Sequence, residues 1–137
     1  MLRRTLLLAA GALAWAPAAH AADAPREAHQ AAERWLALVD AGDHAGSWQQ
    51  AGAMFKGAMD EQRWTRSVGA VRGPLGALRE RGPRSAETQP TLPGLPDGQY
   101  VVLAYDAAFA HKAAAVETVT LVKEPDGAWR VIGYFIR

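Results

Sequence analysis

No cysteine occurs anywhere in the 137 residues, so this chain must stand without disulfides, and a lipid anchor on a leader-end cysteine is excluded. Also missing are a glycine-rich phosphate loop, a metal-ligand motif and a nucleophile constellation. No cofactor and no metal are therefore expected. Repeats and low-complexity tracts are absent too, and a chain this short is expected to form one domain. An excess of charge of one sign is lacking: 15 Lys and Arg face 14 Asp and Glu. Such a balance gives nucleic-acid binding no electrostatic support.

The one conspicuous apolar run stands at the beginning. Residues 1–21, MLRRTLLLAAGALAWAPAAHA, combine a basic start (Arg3, Arg4), an apolar stretch from Leu6 to Trp15 and the small-residue ending Ala19-His20-Ala21. That is the layout of a secretory signal peptide, and the run is too short to span a bilayer. We expect cleavage after Ala21 by ordinary export rather than the twin-arginine route. The product would be a single domain over residues 22–137, periplasmic or secreted, with no membrane attachment. Losing Arg3 and Arg4 leaves that domain near a net charge of −1. A domain of this size buries roughly two-thirds of its unfolded surface, enough for a core without staples.

The remainder divides into a helical half and a strand half. Ala28, Ala31, Ala32, Trp35, Leu38 and Val39 recur at helical spacing from Pro25 to Asp40. Gly42 suits the turn past that helix, and Asp43 can cap the next. A second stripe carries Trp48, Ala51, Gly52, Phe55 and Met59. Asp60 can cap a third helix with Trp64, Val68, Val71 and Leu75, which Pro74 should end or kink near Gly73. Beyond Gly76, ALRERGPRSAETQ predicts a weak charged edge strand and PTLPGLPDG a loop. Strands follow at Tyr100–Phe109, Ala115–Lys123 and Trp129–Ile136, the last two joined by a turn at Gly127. The expected class is α+β: about three N-terminal helices on one face of a curved antiparallel sheet of about four strands.

The segments WLALVDAGDHAGSW, RWTRSVGAVRGPLGALRER and VETVTLVKEPDGAWRVIGYFIR, taken in order, resemble the uncharacterised bacterial family known as domain of unknown function 4019. The resemblance covers nearly all of residues 22–137 and implies a small exported domain, with no activity attached. More distantly, the helical hairpin through DAGD and the closing DGAWRVIGY strand are similar to the nuclear-transport-factor-2-like, cystatin-like cone. That fold hosts enzymes, binders and assembly modules alike.

Trp35 and Trp48 flank the acidic, glycine-containing break. Tryptophans at helical spacing point to hairpin core rather than a ligand cage. Asp40, Asp43 and His44 match no established metal-ligand spacing, and His111 belongs to a turn. Arg79, Arg81 and Arg84, interleaved with Glu80 and Glu87, suit a solvated edge strand better than an anion patch. The candidate ligand-binding residues are Arg72, Tyr105, Asp106, Glu117 and Tyr134. If Glu117 faces the helices, Arg72 is its natural partner, because a buried charge demands one. The same pair would suit a pocket where helices and sheet diverge, a place for a small molecule at the cone mouth.

Two functional classes follow. The first is a non-catalytic exported binding or protein-interaction module. The second is a small cavity-type hydrolase, isomerase or dehydratase using Asp106 or Glu117 as general base beside a tyrosine donor. The residue types are present without a spacing that makes them converge, which favours the module. Strict alternation on the last strand sets Trp129, Val131, Gly133 and Phe135 on one face and Ile132, Tyr134 and Ile136 on the other. Helices can cover only one of these faces, so the second set is expected to offer a contact for a homodimer or another protein.

Overall fold

The computed structural model describes the backbone from Ala19 and the side chains from Asp23, in both cases to Arg137. The leader read from residues 1–21 lies outside these described residues, apart from the backbone of Ala19-His20-Ala21.

Helical spacing of small and apolar residues builds α1 (Ala19–Asp40), which begins six residues before Pro25. Ala28, Ala32, Trp35, Leu36 and Val39 all lie buried on its inner stripe. Gly42 at φ 77° makes the left-handed turn out of α1. The Asp43 carboxylate then accepts from the Gly46 N–H at 2.9 Å and caps α2 (His44–Gln50).

The expected second helix is in fact two. The chain is extended at Ala51 and Gly52 before α3 (Ala53–Ala58) resumes. At this break the Gly52 N–H donates to the Val131 carbonyl at 2.7 Å. A Cβ on Gly52 would stand 2.8 Å from Ile132 Cγ2, so the close approach requires glycine. One hydrogen bond to the sheet thus wins over helical continuity. Asp60 accepts from the Arg63 N–H at 2.8 Å and caps α4 (Glu61–Leu75), which runs two residues past Gly73. Among the described residues, no helix is long and apolar enough to cross a membrane.

Four antiparallel strands follow in the spatial order of the chain: β1 (Leu78–Gln89), β2 (Tyr100–Phe109), β3 (Lys112–Lys123) and β4 (Trp129–Ile136). The fold is α+β, with the helices N-terminal to an open antiparallel sheet. The third strand starts three residues earlier than expected because a tight turn at Ala110–His111 pairs Lys112 with Phe109. Val101, Leu103 and Tyr105 of β2, Val119 and Leu121 of β3, and Trp129 and Val131 of β4 meet the helices in one core. A smaller cluster, Ala107, Phe109 and Ala115, closes the other end against Leu75, Leu78 and Ile136.

The alternation expected along β4 fails at one point. Leu121 pairs with Val131 but Thr120 pairs with Gly133, so Ile132 is an extra residue in a β-bulge. Past the bulge the inward set changes. Tyr134 packs against the main core and Ile136 against the smaller cluster, while Phe135 is 60% exposed. Ile132, Tyr134 and Ile136 therefore do not share an outer face. Ile132 lies against Gly52, and Phe135 points out in place of Tyr134.

Candidate functional site

Glu117 is the centre of the arrangement. It sits on β3 between Val116 and Thr118, alternates inward with Ala115 and Val119, and has no exposed surface. Burying an unpaired carboxylate would be prohibitive, so the geometry around it must supply compensation. Arg81 Nε donates to Glu117 Oε1 at 2.6 Å and Arg81 Nη2 donates to Oε2 at 3.1 Å. The Tyr134 hydroxyl donates to Oε2 from the neighbouring strand. Both oxygens are thereby occupied.

Arg81 makes a second fork. Its Nη1 and Nη2 donate to Asp40 Oδ2 and Oδ1 at 2.7 and 2.9 Å. Asp40, the last residue of α1, also accepts from Arg72 Nη2 at 2.9 Å. The Arg72 guanidinium lies 4.8 Å over the Phe109 ring. Two carboxylates and two guanidiniums thus form one neutral chain linking the C-terminus of α1, α4, the edge strand β1 and the inner strand β3.

Each charge is set by its neighbours. Burial works against the charged form of Asp40, but hydrogen bonds and charge from Arg81, then Arg72, outweigh it and hold the carboxyl below its ordinary value. Burial likewise works against charged Arg81, and its bonds to Asp40 and Glu117 more than reverse that, strengthening its hold on the proton. The Tyr134 phenol is raised first by burial, then by the charge of Glu117 and the bond to it. Tyr105 is raised chiefly by burial, with the charge of Glu33 next. Its hydroxyl meets His29 Nδ1 of α1 at 2.9 Å.

The five residues singled out in sequence separate in space. Tyr105, Glu117 and Tyr134 converge on the inner face, with Tyr105 directly across from Glu117 in the ladder. Arg72 approaches the same region but bonds to Asp40. Asp106 is exposed on the other face, paired with Arg84 at 2.8 Å. The expected Arg72–Glu117 pair is replaced by Arg81–Glu117, because Arg81 alternates inward on β1 opposite the small Ala107. Arg81, read as part of a solvated run, is the residue sequence reasoning missed. The available signal was the pair Ala107 and Ala115, small residues that leave a lane for a long side chain across the sheet.

Cavities open in three places among the described residues, and two of them touch this network. One of about 540 Å³ lies between α1, α2 and the start of β4, with Arg34, Trp35, Leu38, Asp43 and Trp129 in its walls. A second of about 830 Å³ lies near the β1–β3 end and touches Arg81, Asp106 and Ala107. The third, about 320 Å³, is an apolar groove between α4 and β4 that reaches Tyr134. Glu117 lines none of the three. Among the described residues no cluster of three or more His, Asp or Glu could hold a metal ion.

No curated protein matches the chain. A family model described as protein of unknown function (DUF4019) matches residues 31–134. That span takes in the C-terminal part of α1, all of α2, α3, α4 and β1–β3, and most of β4, and the chain belongs to that family.

Proposed function

We propose that this DUF4019 protein is an exported, non-catalytic binding or protein-interaction module. The observation that carries the reading is the closure of Glu117. A general base must come within hydrogen-bond reach of the proton it removes. Glu117 instead spends one oxygen on Arg81 and the other on Arg81 and Tyr134. The other candidate base, Asp106, is exposed and paired with Arg84. The charged chain around Glu117 acts in this reading as a lock between helices and sheet.

Export is supported by the three-part leader of residues 1–21. The cone likeness is supported by helices laid on one face of an antiparallel sheet, with the 540 Å³ cleft between α1, α2 and β4 as a place for a small molecule. The alternative, a small cavity enzyme, makes a distinct demand: turnover must depend on Glu117. Wild type and Glu117→Gln are to be assayed against panels of ester, amide, epoxide and hydroxy-acid substrates, alongside a thermal-shift ligand screen. Shifts in melting without turnover are expected. Turnover by the wild type that Glu117→Gln abolishes would overturn the module reading.

A further inference from the structure

The two edges of the sheet are built differently. β1 carries Arg79, Glu80, Arg81, Arg84 and Glu87, has Pro83 within it, and is interrupted by two register shifts. Charge, proline and irregularity are the features that keep an edge strand from pairing with another chain. β4, the opposite edge, carries neither charge nor proline over Val131–Phe135, where the residues are Val, Ile, Gly, Tyr and Phe, and past its single bulge at Ile132 it pairs regularly to Ile136.

The ladder shows which main-chain groups β4 leaves open. Val116 and Arg137 exchange N–H···O bonds at 2.9 and 3.1 Å. In an antiparallel pair, bonded and non-bonded positions alternate. Phe135, opposite Thr118, therefore turns its main-chain groups toward β3, while those of Tyr134 and Ile136 point away from the sheet. Upstream of the bulge the same outward direction is already used: the Val131 carbonyl takes the Gly52 N–H. Among the described residues nothing does the same for Tyr134 or Ile136.

Beside those open groups runs the 320 Å³ groove, walled by Met59, Trp64, Val68, Val71, Tyr134 and Phe135. Val71 and Phe135 are 48% and 60% exposed, among the largest apolar exposures in the described chain. A free strand edge asks for an extended backbone, and an apolar groove next to it asks for side chains at alternate positions. Together they specify one ligand chemistry. A second copy of this chain fits less well, because the inward side chains of its own β4 are already packed beneath its helices.

We propose that the open edge of β4 takes up an extended apolar peptide segment of a partner protein as a fifth strand, with alternate side chains seated against α4. The proposal rests on the binding-module reading and names its ligand. Random short peptides displayed on phage are panned against the purified protein, and enriched sequences are synthesised and titrated. Enriched peptides should carry apolar residues at every second position and perturb the amide resonances of residues 133–137. Val71→Glu, an exposed change in the groove wall, should weaken binding roughly tenfold or more. N-methylation of alternate peptide amides should weaken it comparably, while the distant exposed change Leu95→Glu should leave it unaltered. Failure to enrich any peptide overturns the proposal, as does binding indifferent to both Val71→Glu and N-methylation. Self-association that Val71→Glu dissolves, read by sedimentation, overturns it in favour of a second copy. Peptide binding that maps elsewhere removes this site and leaves the module reading standing. Glu117-dependent turnover removes the module reading and leaves the edge measurement unaffected.

Discussion

Arg81 and Glu117 sit two strands apart, on β1 and β3, and still form a two-point ion pair across β2. On β2 between them, Ala107 is the residue directly opposite Arg81 and Tyr105 the one directly opposite Glu117. A side chain from the sheet's edge thus neutralises its most enclosed carboxylate, and the same guanidinium holds the end of α1 through Asp40.

Removing the guanidinium should therefore be costly out of proportion to its place on an edge strand. Arg81→Met is expected to destabilise by about 3–5 kcal/mol, the range for leaving a buried charge unpaired. Arg81→Met with Glu117→Leu should recover much of that loss, since the stranded charge is gone. Urea melts of the two variants and wild type measure both effects. A double variant no better than the single would mean that packing, not charge, dominates at this point.

The tyrosine partner gives the network an alkaline signature. The folded-state value of Tyr134 is raised, so its contribution is fully present below the unfolded value of about 10 and is lost as pH rises beyond it. Stability should decline above about pH 10, and less steeply in Tyr134→Phe, where Tyr105 remains as the raised phenol. At neutral pH, Tyr134→Phe should cost about 1.5–3 kcal/mol for a lost bond to a charged acceptor. Chemical denaturation at stepped pH reads both quantities.

Asp40 behaves in the opposite sense. Its carboxyl is held below the ordinary value, so its contribution is present above about pH 4 and disappears as pH falls through the lowered folded value. Asp40→Asn should flatten the acid limb of the stability profile. An unchanged acid limb would show that other carboxylates govern it.

The core assignment is tested by contrast. Trp64 is buried against Phe55 and Trp35 at centroid distances of 4.9 and 5.9 Å. Trp64→Ala should cost about 3–5 kcal/mol, while Arg84→Ala, at an exposed pair, should stay within about 0.5 kcal/mol. Equal effects from the two would contradict the helix-stripe assignment.

The leader is tested separately. N-terminal sequencing of protein recovered outside the cytoplasm should begin at Ala22. A chain that still starts at Met1 there would count against cleavage.

Where periodicity is local, the sequence is easy to follow. The bounds of β2 and β4 and the caps at Asp43 and Asp60 follow from hydrophobic spacing and short polar side chains. Two features do not. The bulge at Ile132 is a property of the pairing between β3 and β4, and it reverses the facing of every later residue, which is why Tyr134 and Phe135 exchange roles. The Arg81–Glu117 pair depends on α1 delivering Asp40 to the same guanidinium and on β2 setting a small residue, Ala107, opposite Arg81. Neither fact is written near Arg81 in the chain, and a charged edge strand looks the same whether its arginines face water or core.

The four tryptophans of the described chain anchor their indole N–H groups at three junctions. Trp35 donates to the Ser47 carbonyl at 2.8 Å and Trp64 to the Ser47 hydroxyl at 2.9 Å. Trp48 donates to the Met59 carbonyl at 2.7 Å, and Trp129 to Glu27 at 3.2 Å. The protein therefore carries its own set of optical reporters: helix against helix at Ser47, the approach to α4 at Met59, and sheet against α1 at Glu27. Replacing the tryptophans with phenylalanine until one emitter is left would let fluorescence record which seam loosens first. In a cooperative two-state transition all four emitters would report one midpoint.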